Sequence, residues 1–475
     1  MSSLKMKNDV KYELIAPDGG WGHILNIGGI LMVGFTVVPI SSFALIFGPY
    51  LSTFYDEISA TTTVYSVFST SFYATGLLAN FLFLKLSFRK VAVMGALIYC
   101  FGSFASIFVF NLQFLVFSYG ILQGIGTGLI VPAVIVATNE YFDHRKMVVF
   151  AVCQAVVALL SMIYPGFTRL MLDNFGFRGT QAIFAALSLH TILGALTLQP
   201  VKWHMKKVLL NKGEHTTGST SYSSTLNEME SHQLLDSNAS EKSFDNKEKH
   251  FQSLESLTNC HKATPQENRK GCFLQNLFDL SILKEATYWN IAVGLSLCIT
   301  SEMNLMALMP IFLSNVGFTD NEITLLMTIY FMSDLITKII ISVITLFWKF
   351  KSRYVFLGNI AITVALRIVF TEINLYWWTI VLTAFLGSSR CIIQLSHPMV
   401  LAELYPKQFS SAYSLCMVFT GISSIIMGSI MGLVKYKTQS DAMVLHVLTF
   451  VCLFCAITWT LELLYKRFVF KNVKK

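Results

Sequence analysis

Long apolar runs alternate with short polar segments along most of the chain. About 20 apolar residues are enough for a helix to cross the hydrocarbon core of a bilayer. Helices suit this environment because they satisfy their own backbone hydrogen bonds. We therefore predict twelve membrane-spanning helices. Their predicted bounds are 21–47, 61–84, 91–110, 114–138, 147–170, 180–198, 288–313, 323–346, 354–370, 376–401, 409–434 and 442–464.

The runs form two groups of six around one hydrophilic stretch, which predicts an all-α membrane protein with two six-helix bundles. The predicted segments are a cytoplasmic tail at 1–20, a bundle at 21–200, a loop at 201–280, a second bundle at 281–465 and a basic tail at 466–475. The loop is rich in polar residues and cannot bury enough apolar surface to offset its ordering entropy. We expect it to be disordered, either as a flexible tether or as a target of regulatory phosphorylation.

Composition supports the membrane class and argues against others. The 475-residue chain is 54% hydrophobic and only 13% charged, whereas about a quarter of the residues of a soluble protein are charged. The net charge of +8 does not indicate a nucleic-acid partner, since no such motif occurs and basic residues cluster at span ends. The cysteines lack metal-site or disulfide spacing, and no catalytic set converges. We predict neither an enzyme nor a cofactor.

Basic residues in the short loops predict the orientation, because cytoplasmic loops carry an excess of Lys and Arg. One set of loops holds Lys85, Arg89, Lys90, Arg145, Lys146, Lys349, Lys351, Arg353 and Lys407. The opposite set holds only Arg178, Lys435 and Lys437. Both termini and the central loop are therefore predicted to be cytoplasmic.

Two opposite charges interrupt the eighth predicted span. Asp334 and Lys338 lie four positions apart in an otherwise apolar run, and helical spacing places such residues on one face within reach of each other. A charge near the bilayer centre costs at least about 2.5–3.5 kcal/mol. Such residues usually line a cavity or a relay, so we expect this pair to belong to a functional site.

Glu302 and Arg390 lie at a similar depth in the seventh and tenth spans. Together with Asp334 and Lys338 they make two acids and two bases, a set that a low-dielectric interior would tolerate because its charges cancel. A site at the membrane midplane would use such groups to bind an anionic or zwitterionic solute. The alternative is a structural role, in which buried pairs hold helices together without touching a solute.

Two other polar residues receive weaker assignments. Arg367 lies near the predicted end of its span and close to Glu372, so we expect its side chain to reach the interface as an anchor. His397 precedes Pro398, where a kink would free backbone carbonyls for binding. We include His397 among the candidate site residues, although a buried histidine with a packing role is the more common case.

The fourth span contains glycines at every fourth position. Gly120, Gly124 and Gly128 follow this spacing, with Gly126 between them. Small residues at such intervals allow membrane helices to approach closely. A phosphate-binding loop is excluded because no Lys-Ser or Lys-Thr follows the glycines. We predict a packing role for this helix.

Four local patterns resemble those of the monocarboxylate transporter family of the major facilitator superfamily. They are DGGWG at 18–22, YF at 141–142 with RK at 145–146, FRGT at 177–180, and the acid–base pair Asp334 and Lys338. The resemblance covers both six-helix halves but not the central loop. It implies two pseudo-symmetric bundles that rock about a central cavity.

Two residues differ from the family pattern at positions that are expected to act on the substrate or the coupled proton. Proton-coupled lactate carriers of this family have a lysine in the first helix where Ser41 stands here, and a serine cannot accept the proton. The family's arginine at position 338 is replaced by Lys, which lacks the planar fork that binds a carboxylate through two hydrogen bonds. We therefore expect a divergent family member.

These observations predict a plasma-membrane secondary carrier for a small monocarboxylate or related organic acid, with proton coupling as a possible feature. In this role Lys338 and Arg390 attract the carboxylate, while Asp334 exchanges a proton or balances the lysine. One alternative is an uncoupled carrier for neutral or zwitterionic solutes. Another is a non-transporting sensor or scaffold that signals through the central loop. The resemblance also raises a single-span accessory glycoprotein as a partner, alongside the solute and the lipid bilayer.

Overall fold

A computed structural model describes residues 12–15, 17, 19–53, 56–142, 146–209, 280–348, 351–373, 375–406 and 408–473. Most of the predicted central loop and of the N-terminal tail lies outside these residues, so the prediction of a disordered loop lies outside the described part of the chain. Two four-residue strands, Tyr12–Ile15 and Lys206–Leu209, pair in a small sheet. The rest of the described chain is dominated by helices.

The described part of the first half, up to residue 209, contains eight α-helices. They are α1 (Trp21–Val37), α2 (Phe43–Leu51), α3 (Glu57–Lys85), α4 (Phe88–Ala105), α5 (Leu112–Leu115), α6 (Gly124–Tyr141), α7 (Lys146–Ser188) and α8 (His190–Thr197). Short 3₁₀ segments lie at Val38–Ser42, Ser106–Phe108 and Val201–Trp203, and a π-helical segment lies at Val116–Gln123.

Among the residues described from 280 onward, six long α-helices follow a 3₁₀ segment at Leu280–Lys284. They are α9 (Ala286–Val316), α10 (Asp320–Phe347), α11 (Ser352–Glu372), α12 (Tyr376–Leu404), α13 (Phe409–Thr438) and α14 (Asp441–Val473). Thr319 and Glu322 cap the start of α10 reciprocally, since the side chain of each accepts a hydrogen bond from the backbone of the other.

Ten helical stretches in the described part of the chain are long and apolar enough to cross a membrane, which supports a multi-pass membrane protein. Two features separate this number from the predicted twelve. The stretch Val152–Thr197 is 46 residues long and covers two predicted spans. The helix Glu57–Lys85 covers another predicted span but is not among the ten.

The long helix α7 is interrupted at Gly176, whose φ of 64° and ψ of −175° are not helical. Glycine adopts this positive φ without steric cost because it has no Cβ. The helical conformation therefore continues past residue 170, the predicted end of the fifth span, to the glycine. The chain then turns within one residue into the next helical segment.

The glycines of the fourth predicted span lie at close helix contacts, which confirms their packing role. A Cβ placed on Gly124 would lie 2.7 Å from the Ser71 Cβ of α3, and one on Gly126 would lie 2.6 Å from the Tyr99 Cβ of α4. Real Cβ atoms do not approach so closely. The glycine-containing helix therefore touches two neighbours through nearly bare backbone.

Helices of the two halves pack against each other as α3 with α13 and α7 with α10. Two ion pairs join the halves at one end of these helices. Arg169 lies 2.7 Å from Asp320, and Lys435 lies 3.6 Å from Asp56. We call this end, defined by these four residues, the ion-paired end. An apolar cluster that includes Ala44 and Tyr65 from the first half and Met431 from the second continues this contact inward.

Candidate functional site

Asp334 and Lys338 form the contact that helical spacing predicts. Their side chains lie one turn apart on α10, and the Lys338 Nζ donates to Asp334 Oδ2 at 2.7 Å. The Asp334 side chain is only 2% exposed, while that of Lys338 is 19% exposed. The pair is therefore buried on its acidic side and more accessible on its basic side.

Arg390 approaches the same aspartate from α12. Its Nη1 lies 3.6 Å from Asp334 Oδ1, beyond ordinary hydrogen-bond distance. Its guanidinium lies 5.7 Å from the centre of the Tyr330 ring and 5.3 Å from that of Phe331, within the range of cation–π attraction. The tenth predicted span thus contributes its charge to the Asp334 site, and two aromatic faces of α10 hold it there.

Glu302 has a different partner. Its Oε2 accepts a hydrogen bond from Arg367 Nη2 at 2.5 Å, and both side chains are at most 3% exposed. Arg367 also donates through Nη1 to the Ser301 hydroxyl at 2.6 Å. The prediction that Arg367 anchors the protein at the interface is therefore wrong. The helix face that carries Arg367 turns toward α9 rather than outward, and Glu372 lies instead 3.4 Å from His446.

Tyr330 links the two ion pairs. Its hydroxyl donates to Glu302 Oε1 at 2.8 Å, and its ring faces Arg390. We use the name charge cluster for the resulting continuous set of contacts. Its members, from four helices, are Glu302, Tyr330, Asp334, Lys338, Arg367 and Arg390.

The charge cluster contains more cations than anions. The expectation from sequence was a neutral set of two acids and two bases, and Arg367 adds a third base. With three positive side chains (Lys338, Arg367 and Arg390) and two negative ones (Glu302 and Asp334), the formal charge of the cluster is +1. Uncompensated charge in a low-dielectric interior is costly, so the cluster is suited to receive an anion.

Three polar atoms of the cluster have no hydrogen-bond partner. Among the described residues, Asp334 Oδ1, Arg367 Nε and Arg390 Nε are buried and lack one. Buried polar atoms without partners are rare and mark strain or a binding role. The first half of the chain reaches the same region through Tyr65, whose hydroxyl lies 3.6 Å from Sδ of Met303, the residue after Glu302.

The two remaining candidate residues lie in other contacts. Ser41 is buried in the 3₁₀ segment, and its hydroxyl donates to the Val38 carbonyl at 2.6 Å. His397 is buried with its Nε2 3.5 Å from Cys416 Sγ, and its ring packs against Tyr413. The helix continues through Pro398. Within the described part of the chain, these contacts do not join either residue to the charge cluster.

Sequence reasoning missed Tyr330 and gave Arg367 the wrong role. Tyr330 lies one helical turn before Asp334, so its position on the same face was available from spacing. Arg367 carried a weaker signal. Its depth depended on the end of α11, which the structure places at Glu372, two residues beyond the predicted end.

Motif residues outside the cluster have packing roles. A Cβ placed on Gly22 would lie 2.7 Å from the Phe142 ring, so the DGGWG and YF motifs touch each other. The Trp21 indole donates to the Thr197 carbonyl at 3.0 Å. Phe177 stacks on Tyr50 with ring centres 4.5 Å apart. Trp21, Gly22, Phe142 and Phe177 therefore pack near helix ends. Asp18 and Arg145 lie outside the described residues.

The amino-acid sequence is similar to those of known proteins. A family model described as Major Facilitator Superfamily matches residues 28–234 and 291–468. Monocarboxylate transporter 3 of Gallus gallus is 26% identical over 192 residues, which are 40% of this chain and 35% of that protein. Monocarboxylate transporter 9 of Mus musculus is 27% identical over 39% of this chain and 37% of its own length.

Monocarboxylate transporter 6 of Homo sapiens is 25% identical, and the match again covers 39% of this chain and 36% of that protein. Each match spans little more than a third of the relative. The family model, in contrast, covers most of both helical halves. The chain belongs to the major facilitator superfamily, and its relatives at modest identity support a place among the monocarboxylate transporters.

Proposed function

We propose that the protein is a secondary carrier that moves a small monocarboxylate or related organic acid across the plasma membrane by alternating access. The main support for this proposal is the excess positive charge of the buried charge cluster. A carboxylate bound there neutralises the formal sum and gains hydrogen-bond donors in a low-dielectric site. The names of the relatives point to the same class of solute.

The proposed carrier has twelve spans in two bundles. Division of the Val152–Thr197 stretch at Gly176 gives two spans, and Glu57–Lys85 supplies another. Both termini lie in the cytoplasm, as the distribution of basic residues suggests. The ion-paired end then faces outward, and contacts such as Arg169 with Asp320 close that side in this conformation. The opposite state requires these contacts to open.

In this mechanism Arg390 is the primary receptor for the carboxylate. Lys338 is already hydrogen-bonded to Asp334, whereas Arg390 has an unpartnered Nε and only a long contact with that acid. A solute carboxylate provides the charged acceptor that a guanidinium binds well. Asp334 then balances Lys338 as the bundles rock, and exchange of a proton at its carboxylate would couple uptake to pH.

The test is uptake of a panel of labelled acids into cells that express the wild type, Asp334→Asn or Lys338→Gln. The proposal predicts saturable uptake by the wild type and at least a tenfold loss in both variants, since each removes a buried charge partner worth more than about 1.4 kcal/mol. Lys466→Gln is the matched control, because Lys466 forms an i,i+4 ion pair with Glu462 at 2.8 Å outside the cluster. Equal uptake by all four proteins would remove the pair from the mechanism.

One observation favours a second candidate, a carrier of zwitterionic or hydroxylated acids. The unpartnered Asp334 Oδ1 is an acceptor that a plain carboxylate cannot use, whereas a hydroxyl or ammonium group can donate to it. Competition between matched acids with and without such a group separates the candidates. A pH gradient across the membrane separates proton-coupled from uncoupled transport, because only coupled uptake accelerates when the outside is acidified.

A further inference from the structure

Arg390 is held mainly by aromatic rings. Its nearest acidic atom, Asp334 Oδ1, lies 3.6 Å away, and the other oxygen of that carboxylate accepts from Lys338. The Tyr330 and Phe331 rings both lie within cation–π distance of the guanidinium. Ring faces attract the cation but do not occupy its N–H groups. Those groups are therefore less committed than they would be in a bidentate ion pair.

The position of the Tyr330 ring is fixed at both ends. At the hydroxyl end, Glu302 Oε1 accepts a hydrogen bond from the tyrosine at 2.8 Å, and Glu302 is itself held by Arg367. At the backbone end, a Cβ on Gly387 would lie 2.1 Å from the Tyr330 carbonyl oxygen, so α12 touches α10 directly. Gly387 lies one turn before Arg390 on α12. The same close approach therefore keeps the turns of α10 and α12 that carry Tyr330 and Arg390 next to each other.

We propose that Tyr330 is a positioning residue for Arg390, and that the buried Glu302–Arg367 pair serves to fix the Tyr330 hydroxyl. The ring keeps the guanidinium beside Asp334 without using up its donors, which leaves them for the solute carboxylate. That last role of Arg390 rests on the proposed function. The positioning of the guanidinium by the ring does not, and it can be measured without knowledge of the solute.

The test measures how fast phenylglyoxal, an arginine-specific reagent, modifies Arg390 in the full chain reconstituted into nanodiscs, with mass spectrometry as the readout. Tyr330→Phe keeps the ring but removes its hydrogen bond, and Arg390 is expected to react about fivefold faster. Fivefold is the factor that corresponds to a net hydrogen bond of about 1 kcal/mol. A rate within twofold of the wild type in this variant overturns the proposal.

Tyr288→Phe is the matched control. Tyr288 is a buried tyrosine of the same half whose hydroxyl donates to the Ala412 carbonyl at 2.7 Å, so the variant loses a comparable bond away from the cluster. Its Arg390 should react at the wild-type rate. Equal acceleration in both variants would indicate general loosening of the fold and would also overturn the proposal.

A second variant covers the case in which Tyr330→Phe does not fold. Glu302→Leu combined with Arg367→Met removes the acceptor of the tyrosine hydroxyl without leaving an unpaired charge. Arg390 should again react about fivefold faster, and an unchanged rate in the folded double variant counts against the proposal.

Uptake of labelled lactate separates the two proposals. Where the wild type transports lactate, Tyr330→Phe should raise the KM about fivefold with a smaller change in maximal rate, because the receptor is misplaced but not removed. A raised reactivity of Arg390 with no lactate uptake by any protein would support the positioning role and count against lactate as the solute. An unchanged KM beside a raised reactivity would contradict the link between Tyr330 and solute binding.

Discussion

Loss of Arg367 should destabilise the protein more than loss of any exposed charge, because Glu302 would then be buried without a cation. The two groups are 2.5 Å apart with side chains at most 3% exposed. Their attraction is about 7 kcal/mol at an effective dielectric constant of about 20. Desolvation of both ions opposes most of this gain, so the intact pair contributes little net stability.

Removal of one partner leaves the desolvation cost of the other uncompensated. We expect Arg367→Met or Glu302→Leu alone to lower the free energy of unfolding by about 3–5 kcal/mol. The double variant removes both charges and places apolar side chains in an apolar region. It should recover at least half of the summed loss of the two single variants, although the Tyr330 hydroxyl then loses its acceptor, at about 1–3 kcal/mol.

The assay is denaturant-induced unfolding of purified protein in mixed micelles, with the wild type, both single variants and the double variant measured as a cycle. We expect a coupling energy of about 2 kcal/mol or more, since the second substitution costs less once the first is made. Additive effects, or single variants within about 1 kcal/mol of the wild type, would show that the pair is more hydrated than the structure indicates.

Two further predictions concern packing and the ion-paired end. Gly387→Ala should lower the free energy of unfolding by about 1–3 kcal/mol, because the added methyl group meets the Tyr330 carbonyl. Gly358→Ala is the control and should not lower it, because the space around its Cβ is open. Equal effects of the two substitutions on denaturant unfolding would contradict the prediction. Asp320→Asn breaks an exposed pair with Arg169 and should cost less than about 1 kcal/mol. The same variant should raise the rate at which an impermeant maleimide labels a cysteine introduced at Thr324, since one contact between the halves is lost. An unchanged labelling rate would show that this pair does not help to close the ion-paired end.

Helical periodicity predicts the part of the site that lies on a single helix. The contact between Asp334 and Lys338 follows from their spacing alone, because residues four apart on a helix lie on one face whatever surrounds it. The same logic extends to Tyr330, one turn earlier. The sequence likewise predicts the packing role of the glycines, since small residues at every fourth position are typical of close helix contacts in membranes.

Arg367 shows where the sequence alone was insufficient. An arginine near the end of an apolar run can reach the interface or turn inward, and the choice depends on the rotation of its helix and the charge opposite it. Neither is encoded in the spacing along one segment. The structure turns Arg367 toward Glu302, which also changes the formal charge of the cluster from zero to +1.

The sequence by itself determined the membrane class, most helix positions and the contact between Asp334 and Lys338, because apolar run length and the 3.6-residue period are properties of a single segment. Only the tertiary structure decided which helices are neighbours and which faces they share. It therefore decided that Arg390 meets Asp334 and that Tyr330 joins the two ion pairs. These contacts bridge residues far apart in the chain, and they depend on the packing of whole helices.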